Sequence, residues 1–554
     1  MKKLKDLQWT ARLWTLFVLM AILVAGCGDD NVAPEPPTPT PGEEPKEPEE
    51  VVKTARELLS EMKGVTNIKD EKDVDGNDII SFLFEQPVDH KNPAAGKFSQ
   101  YCVLHYKGPK HTTLLHTQGY SITKSEKQKV RQMDLAKILD ANYLEVEHRY
   151  YYRSTIGLDD IDVKAGIPVE RVKGDYWKYN TAEQSTADLH DIVTAMKNSG
   201  CFNGKWVSSG VSKNGILTAL YAYFYPNEMD VYVPFCAPFC DGQETLGIGQ
   251  WLTRESGGKG TALQKDVWDV LRRMSTDQKL REELTALYKE EYGGNANIQK
   301  YSVQTTMCVL TNNYMLNMFN KFCYHPTSEW DGVIPREGCN AELYYGFISL
   351  GQNDYWTRLN NLRQLWELDE LKDNDDYEYE SYDDYENEED WDFDEETVSQ
   401  SGRRAASQTL TFENFLYTIY FVHAAKELGH YLFDWSILPE NSMPESLMKW
   451  LNDQKTITKF NKQYEVEYDG GKMMKGFLDF VKNNRYKDKC KMLFVYGGND
   501  PWTGAAIPDP DKDDPYVKKY VVPNGTHNAW LNYPNYYTAQ DKDYIVNTVK
   551  EWLK

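Results

Sequence analysis

Apolar residues recur along this chain in two rhythms. Short, dense runs rich in β-branched and aromatic residues occur at Thr113–Thr117, Tyr143–Glu147, Lys205–Ser209, Val231–Phe235, Lys491–Tyr496 and Tyr520–Val522, the pattern of strands buried on both faces. Between several of them the period lengthens to that of a helix. Thr181-Ala182-Glu183-Gln184 reads as a capping box that opens a helix running to about Lys197. Ile216, Leu217, Leu220, Tyr223 and Phe224 keep helical spacing until Pro226 stops it, and Tyr544, Ile545, Thr548, Val549, Trp552 and Leu553 form a last amphipathic stretch. Strands alternating with helices predict an α/β fold, a mainly parallel sheet covered on both faces. From about 246 to 455 the alternation stops and helix formers and aromatics dominate, which predicts a mostly helical cap inserted into the sheet domain.

Ordinary domain sizes would divide 554 residues into three or four units. One sheet domain interrupted by one cap accounts for the same length. The expected division is a leader at 1–26, a tether at 27–50, core at 51–245, cap at 246–455 and core again at 456–554. In the leader, Lys2, Lys3 and Lys5 precede an apolar run from Leu13 to Ala25. As a helix that run covers about 20 Å, short of a bilayer's apolar core of about 30 Å, so it reads as a secretory signal. It ends Leu23-Val24-Ala25-Gly26-Cys27, which resembles a bacterial lipobox, where the cysteine is acylated and becomes the mature N-terminus. Cleavage by an ordinary signal peptidase, with Cys27 incidental, is the alternative. Gly28-Asp29-Asp30 is similar to the acidic export signals of bacterial surface lipoproteins. The expected location is therefore extracytoplasmic and lipid-anchored, at the bacterial outer membrane or cell surface. Residues 31–50, with seven Pro and six Asp or Glu, read as an extended, solvated tether.

The formal charge is −23, with 62 basic against 85 acidic residues. That balance excludes a nucleic-acid binder that works by displacing phosphate counterions. Asp373 to Glu396 alone holds 15 acidic and no basic residues. It reads as a solvated loop in the cap, with a calcium site or a contact for basic peptides as alternatives. After Cys27 the cysteines are 102, 201, 236, 240, 308, 323, 339 and 490, a set that permits disulfides outside the cytoplasm. No Cys-x-x-Cys pair and no zinc-like histidine spacing occurs, so no structural metal and no cofactor is expected.

Candidate chemistry concentrates at three points. Gly210-Val211-Ser212-Lys213-Asn214-Gly215 follows a predicted strand and opens a predicted helix. Such a turn lifts a serine hydroxyl above a sheet edge, beside the amides of a helix N-terminus; a serine in an ordinary turn is the alternative at this stage. Downstream, Gly497-Gly498-Asn499-Asp500 ends another strand, and Asn524-Gly525-Thr526-His527 ends a third. Nucleophile, acid and base in that chain order select Ser212, Asp500 and His527 as a Ser-His-Asp triad.

With these segments in place the chain resembles the PS-10 (S37) family of serine peptidases, and is more distantly similar to the prolyl carboxypeptidase group. Further segments that carry the resemblance are Gln86-Pro87-Val88-Asp89-His90, Glu147-His148-Arg149-Tyr150-Tyr151, Asn180-Thr181-Ala182-Glu183-Gln184 with Asp188 and His190, Phe224-Tyr225-Pro226, Ala237-Pro238, Glu427-Leu428-Gly429-His430-Tyr431 and Asn499-Asp500-Pro501-Trp502. The resemblance implies an α/β-hydrolase core and an aminopeptidase that releases tri- or tetrapeptides after proline through an acyl-enzyme. It implies Ser212 as nucleophile, His527 as general base and Asp500 as its orienter. The amide of Lys213 would be one oxyanion donor, and the Gln118-Gly119-Tyr120 loop the source of the second. The Lys213 side chain is expected to pack near the elbow rather than act as a base. Asn214 departs from the glycine usual there.

Peptide substrates with a free α-amino group call for a carboxylate on the cap side. Glu427 is the candidate, with a structural acid at a helix end as the alternative; Trp502 would wall a proline slot. His148 and Arg149 are expected to fix the loop after their strand. An esterase with the same triad, and a surface binding lipoprotein on a degenerate hydrolase core, are the competing readings.

Overall fold

The computed structural model describes residues 53–123, 128–159, 166–240, 242, 247–248, 251, 262–296, 298–324, 334–348, 409–429 and 461–554. Cys27, the tether, the acidic run and His430 lie outside them. The strands are β1 Val65–Lys72, β2 Asp78–Pro87, β3 Lys97–His105, β4 Thr113–Thr117, β5 Asn142–Val146, β6 Ile167–Pro168, β7 Trp206–Val211, β8 Val231–Phe235, β9 Thr409–Leu410, β10 Met492–Gly497 and β11 Val517–Val522. Nine form one sheet in the order β1-β2-β3-β5-β4-β7-β8-β10-β11, and β6 pairs separately with β9. From β5 to β11 every pairing in the large sheet is parallel. β1 to β3 are antiparallel, and β3 joins β5 antiparallel. This is the α/β-hydrolase core expected from the sequence. The order reverses at β5-β4-β7, and in open α/β sheets ligands bind outside the carboxyl ends of strands at such a reversal.

The helices are α1 Ala55–Glu61, α2 Asp134–Ile138, α3 Ala182–Asn198, α4 Lys213–Phe224, α5 Ala262–Thr276, α6 Gln278–Glu291, α7 Val303–Tyr324, α8 Ala341–Ile348, α9 Phe412–His423, α10 Lys472–Lys482 and α11 Ala539–Trp552. The strand period of two assigns alternate residues to the two faces. Met492, Phe494 and Tyr496 of β10 enter one apolar layer with residues of α3, α4 and α10, while Leu493 and Val495 enter the other with residues of α2 and α11. Between β8 and β10 the described elements are α5 to α10, with β9 as the only strand among the described residues. Five of them, α5 to α9, lie in the expected cap span.

One local expectation is corrected. Thr181 accepts from the Gln184 amide at 3.4 Å, but the Gln184 side chain does not close a capping box. It turns away from the N-cap, donating to Asp89 at 2.9 Å and accepting from the His90 amide at 2.9 Å, which ties the start of α3 to the loop after β2. The cysteines 102, 201, 236, 323, 339 and 490 carry no disulfide; the even count permitted such bridges without requiring them. No described helix is long and apolar enough to cross a membrane.

Candidate active site

β7 turns into α4 at Ser212, whose backbone sits at φ 58° and ψ −124°. A non-glycine residue at such angles carries strain on the order of 1–3 kcal/mol, which only surrounding structure can hold. Two glycines make the turn possible. A Cβ at position 210 would lie 2.6 Å from the Asn214 Cβ, and one at position 215 would lie 2.5 Å from the Phe235 carbonyl oxygen. The Ser212 amide donates to that same Phe235 oxygen at 2.9 Å, locking the elbow to the end of β8. Ser212 therefore stands at the carboxyl edge of the sheet, directly before the N-terminus of α4.

Asp500 and His527 come to the same edge from β10 and β11. Their two loops pack backbone on backbone: the Gly498 amide donates to Val522 at 2.7 Å and the Asn499 amide to Gly525 at 2.9 Å. A Cβ at Gly498 would meet the Pro523 carbonyl at 2.3 Å, so the Gly-Gly pair is a requirement of that approach. Asp500 is fully buried. One carboxylate oxygen pairs with His527 Nδ1 at 2.8 Å, and the other accepts from the Trp502 amide at 3.0 Å. The Trp502 ring is buried against the imidazole, with centroids 5.7 Å apart.

Two buried thiols complete this corner. Cys236 reaches the carbonyls of Thr526 and Asn528, on either side of His527, at 3.6 and 3.7 Å. Cys323, in the last turn of α7, contacts Asp500 at 3.9 Å, and its carbonyl accepts from the His527 amide at 2.8 Å. Burial pushes both thiols well above the ordinary range, so they stay protonated donors. The ligand-type atoms of Cys236, Asp500 and His527 lie within 4.8 Å of one another. Each is already engaged in these hydrogen bonds, and no ion is required to balance them.

The Gln118-Gly119-Tyr120 loop follows β4, one strand from the elbow. Gly119 does not supply the oxyanion donor expected of it: its amide donates to Asn214 Oδ1 at 2.6 Å and to Gln118 Oε1 at 3.1 Å. Lys213 packs as expected. Its amine is buried without a hydrogen-bond partner, 5.1, 5.1 and 5.6 Å from the ring centres of Tyr120, Tyr151 and Tyr420. Burial holds its pKa well below the usual lysine range.

The other segments shared with the S37 pattern build a knot beneath the cap. Arg149 grips Asp188 through two bonds of 2.7 Å, both side chains fully buried, and His90 joins the same carboxylate at 2.7 Å. Glu147 accepts from the amides of Ile122 and Arg153 and from the Ser154 hydroxyl. His148 is held by the Arg149 carbonyl at 2.8 Å and the Ser185 hydroxyl at 2.9 Å. These residues fix loops. Glu427 follows α9, and one of its oxygens accepts the Ala182 amide at 2.8 Å, at the N-terminus of α3. That oxygen thus faces the positive end of α3, and the other makes no hydrogen bond among the described residues. Burial raises its pKa, against the pull of the Ala182 hydrogen bond.

Residues 46–247 match the family described as PS-10 peptidase S37, which bears out the resemblance read from the sequence over the part that contains Ser212. The chain is 28% identical over 169 residues to a prolyl tri/tetrapeptidyl aminopeptidase of Streptomyces mobaraensis, a match covering 30% of this chain and 31% of that protein. It therefore spans about a third of the curated relative. Among solved structures, the proline iminopeptidase of Mycobacterium smegmatis is 10% identical with a TM-score of 0.29, covering 85% of this chain and 98% of that one. An alpha/beta fold family hydrolase from Bacillus anthracis str. Sterne is 11% identical with a TM-score of 0.25, covering 82% and 95%.

Proposed function

We propose that this chain is a serine exopeptidase that removes tri- or tetrapeptides after proline from the free N-termini of peptides. The observation that carries the reading is one edge of one sheet: Ser212 strained at φ 58° after β7, and His527 after β11 paired at 2.8 Å with the buried Asp500 after β10. In this mechanism Ser212 Oγ attacks the prolyl carbonyl while His527 Nε2 takes its proton. Asp500 on Nδ1 holds the ring and balances the imidazolium. The amides of Lys213 and Tyr120 receive the oxyanion. The tetrahedral species collapses, breaking the C–N bond. The leaving amine takes the proton from His527, and water then releases the acyl group by the same steps in reverse.

The similarity to a prolyl tri/tetrapeptidyl aminopeptidase supports the substrate class. Trp502, packed on the catalytic imidazole, is assigned the wall of the proline slot. Glu427 is assigned the substrate α-ammonium. Tyr420, two helical turns before it, packs on Lys213 beside the elbow, and this supports the assignment. The mature protein is proposed to be anchored through acylated Cys27, facing away from the cytoplasm.

Xaa-Xaa-Pro reporters with free and with acetylated N-termini test the reading. Cleavage of the free form only, abolished in Ser212→Ala, is the expected result. Equal cleavage of both overturns the aminopeptidase assignment. Fluorophosphonate labelling of Ser212 without any peptide cleavage would make the protein an esterase of the same fold.

A further inference from the structure

Asn214 stands where the S37 pattern has glycine, two residues after the proposed nucleophile. Its surroundings give that side chain one orientation. Tyr143 donates its hydroxyl to Glu145 Oε2 at 3.1 Å, and His116 Nδ1 faces that hydroxyl at 2.8 Å and Glu145 Oε1 at 3.1 Å. With a carboxylate and an already donating hydroxyl around it, Nδ1 carries the proton. Nε2 is then an acceptor, and the atom opposite it at 3.3 Å is Asn214 Nδ2. The amide is thereby oriented, and Asn214 Oδ1 faces the Gly119 amide at 2.6 Å. Gln118 braces the same loop by donating to Glu145 Oε1 at 3.0 Å. Glu145, His116 and Asn214 are all buried.

Space is as closely specified as polarity. A Cβ on Gly119 would lie 2.8 Å from Asn214 Oδ1 and 3.0 Å from the Lys213 stem, so the loop approaches the elbow as nearly as a glycine can. The Asn214 backbone is pinned separately, its carbonyl accepting from the hydroxyls of Thr117 at 2.8 Å and Thr218 at 3.0 Å. Glycine at 214 would remove the shorter of the Gly119 amide's two hydrogen bonds, leaving Gln118 Oε1 at 3.1 Å.

We propose that Asn214 is a positioning residue for the oxyanion site, which rests on the serine-hydrolase reading above. Oriented by the Glu145–His116 pair, it holds Gly119 and so sets the Gly119–Tyr120 peptide over Ser212. Gly119 gives up its own amide to that bond, and the Tyr120 amide becomes the loop's donor to the oxyanion.

The test compares Asn214→Ala, Asn214→Asp and His116→Ala with the wild-type protein on a free-amine Xaa-Xaa-Pro reporter. Losing an oxyanion donor outright costs about 10²–10³ in kcat, so a loop left unpinned is expected to cost about 10–100-fold, with KM changed by no more than about threefold. Asn214→Asp, which keeps an acceptor for Gly119, is expected to recover most of that loss. A peptidyl boronate, which mimics the tetrahedral species, should weaken in step with kcat. The released tripeptide, as a product inhibitor, should not. His116→Ala, which frees the Asn214 amide to turn, is expected to lower kcat in the same sense, and it carries the test should Asn214→Ala not fold. A folded Asn214→Ala or His116→Ala enzyme with wild-type kcat overturns the inference. A wild-type protein that neither cleaves the reporter nor takes a fluorophosphonate overturns the underlying function instead.

Discussion

His90 makes a quantitative test of the knot beneath the cap. Its ring lies 2.7 Å from Asp188 and 3.4 Å from Asp191, with the side chain 14% exposed. Burial works to lower its pKa, but the hydrogen bonds to the two carboxylates outweigh it and raise the value from 6.5 to about 9. A folded-state pKa above the unfolded one means that the stabilisation is fully present below about pH 6.5 and is lost as pH rises toward 9. At about 1.4 kcal/mol per pH unit the contribution is at most about 3.5 kcal/mol. Solvent screening of this partly exposed pair brings the expectation to about 1–2 kcal/mol. The assay is denaturant unfolding of wild type and His90→Gln at pH 6, 7.5 and 9. Glu147, which burial raises to about 8 against its hydrogen bonds, shifts stability in the same sense in both proteins, so the difference between them is what counts. That difference should be largest at pH 6 and shrink by about 1–2 kcal/mol by pH 9. A constant difference across the range would refute the ionised His90–Asp188 pair.

Asp500→Asn removes the charge that faces His527 while keeping the size of the side chain, and should lower kcat by about 10³–10⁴ with the fold intact; a loss under tenfold in steady-state kinetics would mean that another group orients His527. Gly215→Ala drives a Cβ to 2.5 Å from the Phe235 carbonyl, and should cost at least about 2 kcal/mol in unfolding experiments; an unchanged midpoint would show that the elbow is slack. Asp188→Asn leaves Arg149 fully buried without its counter-charge and is expected to cost about 3–5 kcal/mol, read as a fall in denaturation midpoint.

The parallel half of the fold was legible because its strands are buried on both faces. β4 and β8 run over the predicted residues, and β5, β7 and β10 differ from prediction by one or two. The antiparallel strands β1 to β3 were not predicted. β1, Val-Thr-Asn-Ile-Lys-Asp-Glu-Lys, is largely exposed and offers no apolar run, so its order comes from pairing with β2. Ser212, Asp500 and His527 were legible from glycine-rich turns after strands, because each turn must let backbones nearly touch. Gly119 was misread for a physical reason: its amide is taken by a side chain 95 residues away. The same distance hid the role of Asn214. Cys236 and Cys323 carried no motif at all, since their contacts with the Asp500–His527 corner run through the fold and not along the chain.

The place of Cys323 bears on what the cap does. α7 ends there, and the last four carbonyls of a helix have no partner within it. The one at Cys323 is taken by the amide of His527 itself, and the thiol of the same residue lies against Asp500. A cap element thus helps to hold the loop that carries the imidazole, and it does so with the negative end of a 22-residue helix. In the proposed mechanism, a positive charge on His527 would be favoured there by about 0.3–1 kcal/mol, in addition to the pairing with Asp500. α7 is therefore part of the structure that holds Asp500 and His527 together, and a displacement of α7 would move the imidazole.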